Sequence, residues 1–363
     1  MNDPMRRFAL VSLLLAGCGR PAGGAPFADA LPEDVVFYVG AADAAGLLER
    51  ARGRGIDEAL RGLPALAGTA AIVRRANGDW IALLPAGPLA SGSGVRDGWH
   101  YTVDGPRAIA ARTPEAVARF REAPKRPLDV DFSGPTVVYV VPRAFPNDAW
   151  SAWCARWRDF DSISASVEID RDVRVQALAR WSGAAYGRAL EVAVQAPGRA
   201  GAPPADAALW TAQIEHFPRL WTELTRGLKA DGHPVTEVLP RLGPAWSVTV
   251  GRDGAVSAAV EARGDVDPQL LRRAVADYAK ARKVDVALPE RLSLGPAAGG
   301  GWHCGTVLVP SACARATANV EWKVWLDRLS WAGRVEAWTR YTGAGARVEA
   351  RITSGGADAA QTR

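Results

Sequence analysis

Apolar residues fall in short blocks along this chain, at strand or helix spacing, separated by Pro, Gly, Asn and Asp. Leu31 to Val39 reads as a strand entered through Pro32, and Ala44 to Arg52 as a helix. Thr69 to Arg75 and Asp79 to Leu84 read as two strands joined at Asn77-Gly78, the strongest short hairpin signal. An extra hairpin, Gly98 to Arg112, and a helix, Pro114 to Glu122, complete this block. A second block follows. Ser133 to Val141 predicts a strand, Asp148 to Phe160 a helix, Ser162 to Asp170 and Asp172 to Arg180 a strand pair, and Ala184 to Val194 a helix. In the third block Pro203 to Trp210 begins a strand. A helix from His216 to Lys229 then places Phe217, Leu220, Trp221, Leu224 and Leu228 on one face. Trp246 to Val250 and Ala255 to Glu261 pair around Asp253-Gly254, and Pro268 to Lys283 is the closing helix.

The C-terminal region has a different rhythm. Pro296 to Gly301 is a Gly-rich linker, and beyond it Val320, Trp322, Val324 and Leu326 alternate with Glu321, Lys323, Trp325 and Asp327. Turns at Ala332-Gly333 and Gly343-Ala344 predict a three-stranded meander. Its outward face carries Arg334, Glu336, Trp338, Arg340, Arg347, Glu349 and Arg351. The predicted fold is therefore α+β: tandem strand-helix-hairpin-helix units with mainly antiparallel sheets, plus a C-terminal antiparallel β-meander. The expected units are 29–128, 129–202 and 203–295, with the meander over 296–353 and a disordered tail over 354–363.

The N-terminus carries the most specific signal. Arg6 and Arg7 precede an apolar run, Phe8 to Leu15, broken only by Ser12, and small residues lead to a cysteine. That is the three-part layout of a secretory signal. A membrane span needs about 20 apolar residues, and this run is too short. Leu15-Ala16-Gly17-Cys18 resembles the lipobox of bacterial lipoproteins. The resemblance implies a signal peptide over 1–17, cleavage before Cys18, and lipid on its thiol. Two or more chains give stable anchoring. Gly19, where aspartate would favour inner-membrane retention, leans towards the outer membrane. Residues 18–28 are then a lipidated tether; the ten from Gly19 to Ala28 are rich in Pro and Gly and span at most about 35 Å. The strand opening with Pro32, Glu33, Asp34 and Tyr38, the helix and the hairpin are also similar to an uncharacterised family of bacterial secreted proteins and lipoproteins built of such repeats. That similarity covers about residues 29 to 290. It implies fold and location, and no catalytic residues.

Composition narrows the partners. Hydrophobic content of 48% and charged content of 23% are globular values. The net charge of +5 does not imply nucleic acid, because basic and acidic residues alternate and no basic cluster occurs. With Cys18 lipidated, three cysteines remain. Cys154 lies in a Trp-rich helical stretch and reads as a small buried hydrophobe. Cys304 and Cys313 flank a short segment and are the expected disulfide, since an exported compartment permits one. No second Cys or His pair has zinc spacing, so no metal site is expected.

Chemistry is sparse. Ser91-Gly92-Ser93-Gly94 lacks the first Gly of a nucleophile elbow and reads as linker. His100, His216, His233 and His303 are dispersed without adjacent acids. Asp159 with Asp161, and Asp170 with Asp172, sit at element ends where solvated turn residues are the default. No cofactor motif occurs. Tryptophan is the unusual feature, with 14 in the chain. Trp150, Trp153 and Trp157 fall on one helical face and read as core. Trp325 and Trp338 fall on the polar face of the meander, where Trp325 would lie opposite Arg340 as a cation–π pair. They form either an aromatic platform for an envelope glycan or protein partner, or a face covered by another layer. The leading expectation is a non-enzymatic, membrane-anchored envelope lipoprotein that binds or scaffolds. The rivals are an envelope hydrolase with spatially assembled carboxylates and a carrier of apolar ligands.

Overall fold

A computed structural model describes residues 25–52, 68–87, 89, 91–144, 160–181, 203–214, 241–262, 265–281, 291–296, 303–316, 326–327, 329–342 and 345–355. The chain divides into two compact units. The first holds residues up to 183 together with 344–351, and the second holds 184–343 and 352–363. The described residues are mostly antiparallel β-sheet with few helices.

The first unit begins with a 3-10 turn at Ala28–Ala30 and a two-residue strand β1 (Leu31–Pro32). Then follow β2 (Val35–Ala41), helix α1 (Ala44–Arg52), β3 (Ala70–Arg75), β4 (Trp80–Pro85), β5 (Ser93–Arg96), β6 (Trp99–Asp104), β7 (Arg107–Ala111) and helix α2 (Pro114–Glu122). After β8 (Lys125–Arg126) come β9 (Thr136–Val140), β10 (Phe160–Ile169) and β11 (Asp172–Trp181). The late strand β18 (Gly345–Ser354) joins beside β11, giving the order β18-β11-β10-β9-β2-β3-β4-β7-β6-β5. Pairings within β10-β9-β2-β3-β4-β7-β6-β5 are antiparallel. Strand β9, from the second expected unit, thus pairs with β2 from the first.

Local chemistry explains the element ends. The Thr113 hydroxyl accepts from the Ala116 N–H and Pro114 opens α2, a capped start with its missing donor placed where none is needed. The Asp43 carboxylate accepts from the Gly46 N–H at the start of α1. At the β3–β4 turn Gly78 takes φ +93, and the Asn77 side chain accepts from the Asp79 N–H. Asp97 and Gly98 both have positive φ, as a type I′ hairpin between β5 and β6 requires.

One face of this sheet buries Tyr38, Val73, Ile81, Leu83 and Ile109 beneath Val117 and Phe120 of α2. The other packs Ala44 and Leu47 of α1 on Ala70, Leu84 and Ala108. The N-terminal segment is part of the first core. Ala28 and Leu31 are buried, Phe27 packs beside them, and the Leu128 N–H donates to the Ala28 carbonyl at 2.7 Å. The tether expected over 18–28 is corrected at its distal end: Ala25 to Ala28 are seated on the folded body. The physical reason is burial of the Ala28 and Phe27 side chains, which a spacer reading of Pro and Gly density overlooks.

The second unit contains β12 (Ala207–Ile214), β13 (Leu242–Gly251), β14 (Val256–Ala262), helix α3 (Pro268–Ala281), β15 (Arg291–Pro296), β16 (His303–Leu308), helix α4 (Pro310–Ala316) and β17 (Ala332–Thr342). Its strand order is β15-β14-β13-β12-β16-β17. Strands β14 and β15 are parallel, with α3 in the crossover between them. Helix α4 closes a cluster of Ala208, Leu308, Ala312, Cys313 and Leu326.

The expected meander is corrected at its first strand. Leu326 and Asp327 are helical, and the Ala332 N–H donates to the Leu329 carbonyl in a turn that precedes β17. Strand β17 pairs with β16 instead, with Trp338 opposite Gly305 and Arg340 opposite His303. Alternation reports which face a strand buries, and tertiary register decides its neighbour. The expected turn at Gly343-Ala344 lies outside the described residues; on either side of it the Thr353 hydroxyl donates to the Arg334 carbonyl, and the Gly355 N–H to that of Trp331. The expected helices at 148–160, 184–194 and 216–229 lie outside the described residues except for Phe160, which begins β10. The linker at 297–301 and the tail beyond 355 also lie outside.

Candidate functional site

The site with the clearest chemistry lies on one face of the second unit's sheet. Cross-strand pairing sets Ala212, Gly305 and Trp338 side by side, and Trp210, Val307 and Glu336 in the next row. Trp210, Ala212 and Val307 are buried together. Trp338 is 38% exposed, one of two large hydrophobic side chains among the described residues that stand out in this way. Gly305 lies between the two indoles. A Cβ there would stand 3.2 Å from the Trp210 ring and 3.7 Å from Cδ1 of Trp338. Glycine therefore lets both rings settle against the strand backbone.

The charges beside Trp338 are arranged unequally. Arg334 Nε holds Glu336 at 2.8 Å. Arg340 is exposed and has no ion-pair partner among the described residues. Positions 338 and 340 share a strand face, about 7 Å apart. The arrangement can stack a flat apolar surface on the indole and offer a planar guanidinium to an anion beside it.

Of the expected platform, Trp338 and Arg340 are brought together, and both point outward as alternation predicts. Trp325 lies outside the described residues. Arg340 has His303 as its cross-strand neighbour on β16. Trp210 and Gly305 were not singled out by sequence. The available signal was an isolated Gly in a strand, which marks a close approach.

The expected Cys304–Cys313 disulfide is not formed. Cys313 is a free, buried thiol whose Sγ donates to the Ala208 carbonyl at 3.2 Å. Cys304 sits opposite Gln213, five residues further along β12, about 17 Å away by strand rise. Bridged cysteines need Cα atoms within about 7 Å. Burial pushes the Cys313 thiol pKa up, and the Val309 backbone opposes this. Cys18, with Leu15, Ala16 and Gly17, and Cys154 lie outside the described residues.

Of the expected carboxylate pairs, Asp159 lies outside the described residues. Asp172 takes Arg351 Nε at 2.8 Å, the Asp170 N–H donates to the Asp172 carbonyl, and Asp161 pairs with Arg143. His100 lies in β6 and His303 in β16. Among the described residues no cluster of His, Cys, Asp and Glu suits a metal ion, and no helix is long and apolar enough to cross a membrane.

No family model and no curated protein matches the chain. Among solved structures, one titled "Structure of crystal form I of TP0453" aligns over 52% of this chain and 88% of its own, at 10% identity and a TM-score of 0.26. A likeness at that level carries no argument about fold or function.

Proposed function

We propose that this chain is a lipid-anchored protein of the bacterial cell envelope that binds a partner or glycan without catalysing a reaction, using the Trp338 face of its second unit. The observation that carries the binding part is the exposed indole of Trp338 beside Arg340, which has no ion-pair partner among the described residues. Tryptophan and arginine are enriched at contact surfaces. The anchoring part rests on Leu15-Ala16-Gly17-Cys18, and outer-membrane sorting on Gly19. On this reading the protein is a tethered module facing the periplasm or the cell surface.

The finer architecture belongs to the same reading. The hairpins β3–β4, β10–β11 and β13–β14 each follow a preceding strand, β2, β9 and β12. That recurrence supports three tandem α+β units of one origin.

The test has two parts. Metabolic labelling with a fatty acid marks the wild-type chain in the membrane fraction, and Cys18→Ser abolishes both label and sedimentation. Co-sedimentation with isolated envelope polysaccharide falls several-fold for Trp338→Ala while the melting temperature is unchanged. A large drop in melting temperature sinks the platform, because it makes Trp338 a packing residue.

A further inference from the structure

We infer that the ligand of the Trp338 face is an acidic saccharide, with its ring stacked on the indole and its carboxylate held by Arg340. The inference rests on the binding reading above and adds the chemical class of the ligand.

Three observations select it. First, the accessible aromatic is a single indole flanked on its β16 side by Gly305, a position without a side chain. The Trp210 and Trp338 rings take the space a side chain at 305 would fill, which seats the indole against the strand while leaving it 38% exposed for a flat ring to stack on. The C–H face of a pyranose is apolar and flat, and suits an indole for the same reason that aromatic rings pack on apolar surface. Second, the polar group within reach is a cation, Arg340. Glu336 is taken by Arg334, so these two charges cancel, and Arg340, two residues from Trp338, has no ion-pair partner among the described residues. A guanidinium donates two parallel hydrogen bonds to a carboxylate, shorter and stronger than neutral ones. Third, the spacing fits. A separation of about 7 Å along the strand matches a sugar ring over one side chain and its exocyclic carboxylate at the next.

A neutral glycan would leave the Arg340 guanidinium without a matched acceptor. A purely anionic partner, such as an acidic peptide, would make no use of the indole and the glycine beside it. The combination of a stacking surface and a neighbouring cation favours a uronic acid or a related sugar acid.

Isothermal titration of the full-length protein in detergent distinguishes the possibilities. The probes are an oligogalacturonide, its carboxyl-reduced neutral counterpart, and polyglutamate. Wild type is expected to bind the acidic sugar about tenfold or more tighter than the neutral one, the size of a charge-assisted contact. Added salt should narrow the gap. Arg340→Gln should bring the two sugars to equal affinity, Arg340→Lys should restore part of the preference, and Trp338→Ala should weaken both. Equal wild-type affinity for the acidic and neutral sugars, still dependent on Trp338, overturns the acidic class and leaves the platform standing. Polyglutamate binding as tightly as the acidic sugar overturns the saccharide assignment. Sugar binding that ignores Trp338 overturns the platform together with the inference.

Discussion

The phenol of Tyr38 donates a 2.6 Å hydrogen bond to the carbonyl of Pro26, joining the centre of the first unit's sheet to the segment that leads in from Cys18. Tyr38 is fully buried, and burial, reinforced by the Asp29 carboxylate, pushes its pKa far up, so the phenol stays a donor at any working pH. The bond has room because residue 40 is glycine. A Cβ on Gly40 would stand 1.9 Å from the hydroxyl and 2.6 Å from the ring.

Tyr38→Phe removes the donor and leaves a carbonyl short of a partner, and should destabilise by about 1–2 kcal/mol. Gly40→Ala should cost more, because the clash involves the ring as well as the hydroxyl. Chemical denaturation of both single variants and the double variant should give a double-variant loss smaller than the sum. Additive losses would show that the two residues do not compete for the same space.

Cys313 should resist alkylation in the native state and react on unfolding, read by peptide mapping after iodoacetamide with and without denaturant. Its raised pKa also carries a sign. The neutral thiol is favoured by the fold, so this stabilisation is complete below the unfolded value of about 8.5. It is lost as pH rises through the folded value. Cys313→Ser should remove that alkaline loss from the stability curve. Rapid native labelling, or an unchanged alkaline slope, would contradict the buried placement.

Asp79 joins a loop to α2. Arg119 holds it with two hydrogen bonds, at 2.8 and 2.9 Å, and that contact lowers the Asp79 pKa first, with Asn77 and Arg75 adding to it against the cost of burial. A depressed carboxylate stabilises above its unfolded pKa of about 4 and loses that contribution as pH falls through the folded value. The stability gap between wild type and Asp79→Asn should therefore be constant near neutrality and close below about pH 4. A gap that persists at pH 2 would mean that shape, not charge, carries the effect.

Gly345 fixes the entry to β18. A Cβ there would lie 2.0 Å from the Ala179 carbonyl oxygen, a backbone atom that cannot swing aside. Gly345→Ala should cost about 1–3 kcal/mol, as other overpacking changes do. The lowered midpoint should come without a changed denaturant slope. A neutral substitution would show that β18 approaches β11 less closely.

Short-range signals were legible and long-range ones were not. Ala44–Arg52 and Pro114–Glu122 match the predicted helices at both ends, because Asp43, Thr113 and Pro114 supply local start signals. The Asn77-Gly78 turn is legible for the same reason. Strand β16 was missed: it is six residues long, holds a glycine, and is defined by partners nearly a hundred positions away in β12. The parallel β14–β15 pair was missed because α3 read as a closing helix, and only the returning strand identifies a crossover. At the candidate site, alternation gave the outward direction of Trp338 and Arg340. Their neighbours, Gly305 and His303, depend on the register of a strand pair that the pattern does not encode.

Seating Ala25 to Ala28 on the folded body leaves six residues, Gly19 to Gly24, between Cys18 and the first docked residue. For a chain lipidated at Cys18, seven peptide steps reach at most about 25 Å. So short a leash confines the body to a thin layer over one leaflet. Neighbours on the same leaflet then meet it at an effective concentration on the order of millimolar. A contact too weak to persist between free molecules would be occupied for much of the time in that layer, so affinities measured in bulk solution understate engagement at the membrane.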